Sequence, residues 1–287
     1  MISPVAQPTG PLSAEGWVGL VIGNSRLHWV LFVGDRISQT WNTPHLQASD
    51  VNRLIQTELG LPKAVGLTLG ELASASDLLA SNHPNIWIAS VVPQQAALWR
   101  TYPHAVFVHR DRISLSGAYA TLGLDRRLAL MGALSQHGDP VLVIDGGTAL
   151  TLTASQQGAF EGGAILPGLQ LQNRALSQAT AALPQVPNWP ESLPPRWATD
   201  TVSAIQSGIA HSTVAALCSY LQDWRQRYCG TVVITGGDRD RLYRWLIQAE
   251  PDWRQMLKVD ANLAFWGLYQ YRRINYGSTT SARLAAE

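Results

Sequence analysis

The sequence predicts an α/β protein built from two copies of one structural unit. Each half opens with an apolar strand, a tight turn of small residues and a returning strand, at 17–32 and 141–153. The turn glycines, Gly23 and Gly147, lie 124 positions apart. Each half later has a buried strand that runs directly into a helix, beginning near residues 86 and 231. Both halves therefore follow the order β-β-β-α-β-α.

In the first half, Asp50 is expected to be the N-cap of a helix, and Pro93 favours the start of a second one. The predicted elements are strands at 17–22, 27–32 and 36–40, a helix at 51–59, a strand at 86–90, a helix at 94–100 and a strand at 105–109.

In the second half, Asp200 or Thr201 is expected to cap a long helix, and the prolines of 184–195 predict an irregular connection. The predicted elements are a helix at 127–136, a strand pair around Asp145, a strand at 159–166, helices at 169–182 and 201–228, a strand at 231–235, and helices at 238–248 and 263–271.

A duplicated unit of this order is the plan of the ribonuclease-H-like fold of actin-like ATPases and kinases, in which an ATP cleft lies between two domains. The predicted organisation is a flexible tail (1–15), a first domain (16–124), a second domain (125–276) and a flexible tail (277–287). A plain Rossmann-like α/β fold is the alternative.

Composition excludes several classes of protein. With 46% apolar and 14% charged residues the chain is globular, and 21 basic against 20 acidic residues give no broad footprint for nucleic acid. The N-terminus lacks the features of a signal peptide, and no apolar run has the length of a membrane helix. Cys218 and Cys229 fit no zinc spacing and are expected to be reduced thiols. A cytoplasmic protein is expected.

The hairpin at 141–153 is the main candidate for chemistry. Asp145 ends its first strand, and the turn that follows offers backbone N–H groups and the hydroxyl of Thr148. These groups suit the phosphates of a nucleotide and the accompanying cation. A hairpin without a ligand is the alternative.

Six ordered motifs between residues 21 and 237 resemble those of the type III pantothenate kinase family. They are Val21-Ile22-Gly23-Asn24-Ser25, Gly123-Leu124-Asp125-Arg126, Asp145-Gly146-Gly147-Thr148-Ala149, Gly162-Gly163-Ala164-Ile165-Leu166-Pro167-Gly168, the helix start at 200–208, and Thr235-Gly236-Gly237. Each motif alone is weak, whereas the ordered set is specific.

The resemblance implies ATP-dependent phosphorylation of pantothenate to 4'-phosphopantothenate, the first step of coenzyme A biosynthesis. It implies that Asp125 is the general base, for which a helix N-cap is the alternative role. The residues implied to bind pantothenate are Tyr119, Gly123, Leu124, Asp125, Arg126 and Thr201.

The resemblance further implies a requirement for Mg²⁺ and for a monovalent cation, K⁺ or NH₄⁺, held by Asp145. The residues implied to bind ATP are Val21, Ile22, Gly23, Asn24, Ser25, Arg26, Leu27, His28, Thr148, Gly236 and Gly237. For Gly236 and Gly237 a tight strand-to-helix turn is the alternative, and for His28 a structural role.

Two positions depart from the family pattern. Val21 replaces the first aspartate and cannot bind a cation, and Asp200 replaces the usual asparagine. Val21 favours a non-enzymatic alternative, a binding or regulatory protein, whereas Asp125, Arg126, Asp145 and Thr148 oppose it. Another actin-like enzyme, a sugar kinase or polyphosphate hydrolase, is the second alternative. The family implies a homodimer, for which the small residues of 204–208 offer a close-packing helix face.

Overall fold

The structure is a computed structural model that describes residues 16–56 and 85–276. These residues divide into two compact units, each with a five-stranded sheet. Unit 1 comprises 16–56, 85–114, 123–128 and 267–276, and unit 2 comprises 115–122 and 129–266. The domain boundaries expected from the sequence, 16–124 and 125–276, remain a proposal.

Unit 1 contains a meander of three strands followed by two further strands and short helices. Its elements are β1 (Gly16–Ile22), β2 (Leu27–Val33), β3 (Arg36–Thr43), α1 (Ala48–Gln56), β4 (Ile86–Ser90), α2 (Pro93–Leu98), β5 (Ala105–Phe107) and a 3₁₀ turn at Arg110–Arg112. β1 pairs antiparallel with β2 and parallel with β4, which gives the strand order β3-β2-β1-β4-β5.

The remaining elements begin with α3 (Leu124–His137), which contributes residues to both units, as does the last helix. They continue with β6 (Val141–Gly146), β7 (Ala149–Gln156), β8 (Ala159–Pro167), α4 (Leu169–Ala179), α5 (Thr201–Arg227), β9 (Thr231–Thr235), α6 (Arg239–Ala249), a 3₁₀ turn at Pro251–Gln255, β10 (Leu257–Val259) and α7 (Leu263–Tyr276).

The two sheets have the same topology, because β6 pairs antiparallel with β7 and parallel with β9 in the order β8-β7-β6-β9-β10. The predicted duplication is thus confirmed. Each sheet mixes antiparallel and parallel pairs, which rules out a plain Rossmann-like sheet.

Alternation along β6 explains why its sheet is covered on both faces. Leu142 and Ile144 pack with apolar residues of α4, α5 and α6, whereas Val141 and Val143 pack with Leu130 of α3 and its neighbours. A strand buried on both faces reads as a continuous apolar run, which is the pattern seen before Asp145. Because β6 is packed on both faces, the position of its last residues, which include Asp145, is fixed at the end of the strand.

Two predicted caps differ from the structure. α1 begins at Ala48, so Asp50 lies in its first turn rather than at its N-cap, and its carboxylate accepts from the backbone N–H of Gln47 at 3.4 Å. This is the reciprocal arm of a capping box. α3 begins at Leu124, three residues before the predicted start, so Asp125 is not an N-cap either. The predicted end of the first helix, 57–59, lies outside the described residues.

Side chains of the neighbouring helices hold the proline-rich connection before α5. Asn173 of α4 is fully buried, donates to the Val186 carbonyl oxygen at 2.8 Å and accepts from the Val186 N–H at 3.0 Å. His211 of α5 donates to the Pro194 carbonyl oxygen at 2.9 Å. These bonds satisfy backbone groups of a segment that has no regular structure.

Replacing Asn173 with alanine is expected to lower the free energy of unfolding by about 2–4 kcal/mol, because two buried backbone groups lose their partner. Urea unfolding of Asn173→Ala measures this loss. Arg174→Ala is the control, since Arg174 is exposed on the same helix and its loss should change stability by less than about 0.5 kcal/mol. A loss below about 1 kcal/mol in Asn173→Ala would contradict the role given to this side chain.

Candidate functional site

The first hairpin carries the predicted nucleotide segment at one end of the sheet of unit 1. Val21 lies directly opposite His28 in the β1–β2 register, and both side chains are half-buried. The Gly23 N–H closes the turn by donating to the Arg26 carbonyl oxygen at 3.0 Å. The exposed residues of the tip are Asn24, Ser25 and Arg26, whereas the side chains of Ile22 and Leu27 belong to the core.

Two histidines adjoin this turn. His28 Nδ1 donates to the Asn42 side-chain oxygen at 2.6 Å, and burial lowers the pKa of His28, so the ring is neutral near pH 7. His45 Nε2 donates to the Gly23 carbonyl oxygen at 2.8 Å. Sequence reasoning did not single out His45, because it follows a proline in a loop that has no periodic pattern.

The predicted general base lies in the first turn of α3. The Asp125 carboxylate accepts from the Arg126 N–H at 2.8 Å and is partly exposed. A methyl group added at Gly123 would lie 2.5 Å from the Asp125 Oδ1 atom, so glycine leaves room for the carboxylate. Arg126 is buried, and Leu124 is partly exposed. The carboxylate therefore lies at the start of a helix, a position that favours an anionic ligand.

The other two residues predicted to contact pantothenate are in unit 2. Tyr119 has 46% of its surface exposed and packs edge-on against the ring of Phe160, with 5.6 Å between ring centroids. Thr201 is the first residue of α5 and lines an apolar groove of about 410 Å³ beside α4. Asp200 before it is exposed and caps α5 by accepting from the Ser203 N–H at 2.9 Å, as predicted.

The second hairpin brings together the predicted cation and nucleotide residues of unit 2. Asp145 pairs with Thr235 across β6 and β9. A methyl group added at Gly236, whose φ is +86°, would overlap the Asp145 Oδ1 atom. A methyl group added at the neighbouring Gly237 would lie 4.0 Å from the Gly146 carbonyl oxygen. The close approach of Gly236 to Gly146 seats the carboxylate at the end of β6.

The tip of this hairpin also touches the start of α4. The Gly168 N–H donates to the Thr148 carbonyl oxygen at 3.1 Å, and a methyl group at Gly168 would overlap the Gly147 carbonyl oxygen. Gly168, the last residue of the motif at 162–168, thus fixes the turn of the motif at 145–149. Thr148 is half-exposed at this tip.

Asp238 is a further carboxylate beside the hairpin that sequence reasoning did not include. Its N–H donates to the Gly146 carbonyl oxygen at 2.9 Å, and its carboxylate forms an ion pair with Arg241. Burial raises the pKa of the Asp238 carboxyl, and Arg241 opposes that shift. The signal available in the sequence was its position directly after Gly236-Gly237, at a strand end.

A duplicated ribonuclease-H-like fold whose strand ends carry glycine-lined hairpins and carboxylates defines the actin-like class of ATPases and kinases. A model of the type III pantothenate kinase family matches residues 20–223. A type III pantothenate kinase from Nostoc sp. is 44% identical over 272 residues, covering 92% of this chain and 97% of that protein. One from Thermosynechococcus vestitus is 41% identical over 269 residues, covering 91% and 92%. The chain belongs to the type III pantothenate kinase family and is a kinase.

Solved structures agree with the fold. A Campylobacter jejuni protein described as a Baf family transcriptional activator has a TM-score of 0.57 at 16% identity, covering 90% of this chain and 98% of that chain. A Sinorhizobium meliloti protein described as a 2-dehydro-3-deoxygalactonokinase has a TM-score of 0.50 at 14% identity, covering 91% and 99%. At these identities the likeness concerns the fold alone.

None of the described helices combines the length and the apolar character needed to cross a membrane.

Proposed function

We propose that this chain transfers the γ-phosphoryl group of ATP to the primary alcohol of pantothenate, giving ADP and 4'-phosphopantothenate in the first step of coenzyme A biosynthesis. Membership of the type III pantothenate kinase family over most of the chain carries this proposal. The cytoplasmic location expected from the sequence stays a prediction.

In the proposed reaction, Asp125 takes the proton of the alcohol as its oxygen attacks the γ-phosphorus. A carboxylate within hydrogen-bond reach of the attacking group serves this role. The position of Asp125 in the first turn of α3 supports the assignment, because the hydrogen bond from the Arg126 N–H orients the carboxylate. The helix start also suits the carboxylate of pantothenate.

The part of the chain that the structure describes offers few protein ligands for a divalent cation. Within 16–56 and 85–276, no three or more histidine, cysteine, aspartate or glutamate side chains form a metal-binding group. Mg²⁺ that accompanies ATP is bound largely by phosphate oxygens and water with one or two carboxylates, so such a group is not required. Asp145, seated against Gly236 at the end of β6, fits this kind of site. Bound cations would neutralise charge on the transferring phosphoryl group.

We assign the monovalent cation, K⁺ or NH₄⁺, to Asp145 as well, and contacts with ATP to Thr148, Gly236, Gly237 and the tip of the first hairpin. The close approach of Gly236 to the backbone of Gly146 and to the Asp145 carboxylate supports the assignments in unit 2, because glycine turns of this kind can present backbone N–H groups to an anion.

A homodimer is also proposed. The groove beside α5 has an apolar lining, and an added methyl group at Gly208 would meet no atom within 4 Å in the described structure. A helix face of this kind accepts close packing by another chain. Sedimentation equilibrium that finds only monomers would contradict this part of the proposal.

ADP release from ATP with and without pantothenate, in potassium and then in sodium salts, tests the function. Release that requires pantothenate and is faster in potassium is expected. Release without pantothenate would indicate a hydrolase, and absence of turnover in both salts with ligand binding retained would indicate a binding or regulatory protein.

Replacing Val21 with aspartate is expected to lower the Mg²⁺ concentration for half-maximal activity by roughly tenfold, because a carboxylate beside the phosphates adds a partner for the ion. A magnesium titration of activity measures this change. Val33→Asp is the matched control, since Val33 is a half-exposed valine at the other end of the same strand pair. An unchanged magnesium profile in Val21→Asp would mean that position 21 does not face the phosphates.

A further inference from the structure

The turn of the first hairpin is held from outside the hairpin. The Gly23 carbonyl oxygen accepts a hydrogen bond of 2.8 Å from Nε2 of His45, which lies 22 residues further along the chain. Because a carbonyl oxygen can only accept, Nε2 carries the proton. His45 is half-buried, so this bond is shielded from water more than one at the exposed tip.

This bond sets the direction of one peptide plane. In a planar trans peptide, the C=O of Gly23 and the N–H of Asn24 point in opposite directions. With the carbonyl held towards His45, the Asn24 N–H faces the opposite side of the turn. Asn24 is exposed, and no other group of the described residues takes its N–H in a hydrogen bond. The turn thus presents a fixed donor of the kind that binds phosphate oxygens.

Neighbouring contacts limit the ways in which the turn could rotate. The Gly23 N–H is already used by the Arg26 carbonyl oxygen. The ring of His28 packs on the same glycine, since its Nε2 atom would lie 3.5 Å from a methyl group at position 23. His28 is itself held by its bond to Asn42. His45 is therefore the hydrogen-bond partner that fixes the orientation of the Gly23 carbonyl group.

We propose that His45 is a positioning residue for the nucleotide, which acts by turning the Asn24 N–H towards a phosphate group of ATP. The inference rests on the proposed function, since it concerns the same nucleotide. The proposed role depends on the Nε2–H donor of His45 and not on the charge of the ring, because the neutral Nε2–H form and the protonated form both donate to the Gly23 carbonyl oxygen.

The test compares His45→Phe, which removes the donor, with His45→Gln, whose amide can still donate. Calorimetry with a non-hydrolysable ATP analogue and Mg²⁺ should show affinity reduced about five- to tenfold in His45→Phe, the effect of one lost hydrogen bond, and within about twofold of wild type in His45→Gln. Pantothenate affinity should be unchanged in both variants. His104→Gln, at an exposed histidine of unit 1, is the control and should bind both ligands normally.

A second measurement uses the wild-type protein and so does not depend on folding of a variant. In ¹⁵N-labelled protein, the Asn24 amide should shift and become protected from hydrogen exchange when the nucleotide analogue binds. Wild-type affinity in His45→Phe, an equal loss in His45→Gln, or an unaffected Asn24 amide would each overturn the inference. Failure of wild-type protein to bind the nucleotide at all would instead contradict the proposed function, and with it the inference.

Discussion

Asp125→Asn is expected to reduce kcat by about 10²- to 10⁴-fold, the contribution of a positioned general base. Asparagine has the shape of aspartate and can still accept from the Arg126 N–H, so the start of α3 should remain intact. It cannot take the proton of the alcohol. Steady-state kinetics measure kcat, and the melting temperature shows whether the fold is retained.

The matched control for Asp125 is Asp111→Asn, which removes a carboxylate whose side chain is 90% exposed in the same unit. That variant should keep wild-type turnover and the same melting temperature. Near-normal turnover in Asp125→Asn would remove Asp125 as the base, whatever the behaviour of the control.

Gly236→Ala is expected to lower kcat/KM by about 100-fold, because displacement of a catalytic group by about 1 Å has an effect of this size. The added methyl group would overlap the Asp145 Oδ1 atom and force the carboxylate away from the end of β6. The substitution also places alanine at φ +86°, which costs about 1–2 kcal/mol of stability. Kinetics at several potassium concentrations separate loss of the cation from loss of the fold.

Gly158→Ala isolates the backbone effect. Gly158 has φ +71° in the same unit, and a methyl group added there meets nothing within 4 Å in the described structure. It should therefore lose similar stability with little change in kcat/KM. If Gly158→Ala and Gly236→Ala lost activity equally, the contact with Asp145 would not be the cause.

The fold was predictable because its signals are local and repeated. Two hairpins with small turn residues and two apolar strands that lead into helices reveal the duplication before any contact is known. The Asp200 cap was predictable for the same reason, since a cap involves only the next turn of helix. β10 was not predicted, because a three-residue strand has no period of its own and depends on pairing with β9.

Parts of the candidate site were not predictable, because they depend on contacts between distant segments. His45 reaches Gly23 across 22 residues, and Asp238 meets Gly146 only after β9 has been placed beside β6. The sequence pattern predicts the start of α3 three residues too late, because Gly123-Leu124 reads as a loop, whereas the helix begins at Leu124 and includes Asp125 in its first turn. In each case tertiary contacts decide what the local pattern leaves open.

The most direct test of the proposed function is the identity of the product. Wild-type protein incubated with ATP, Mg²⁺, K⁺ and pantothenate, followed by mass spectrometry and ³¹P NMR, should yield one 4'-phosphopantothenate for each ADP. ADP formed together with inorganic phosphate, and with pantothenate left unmodified, would contradict the account.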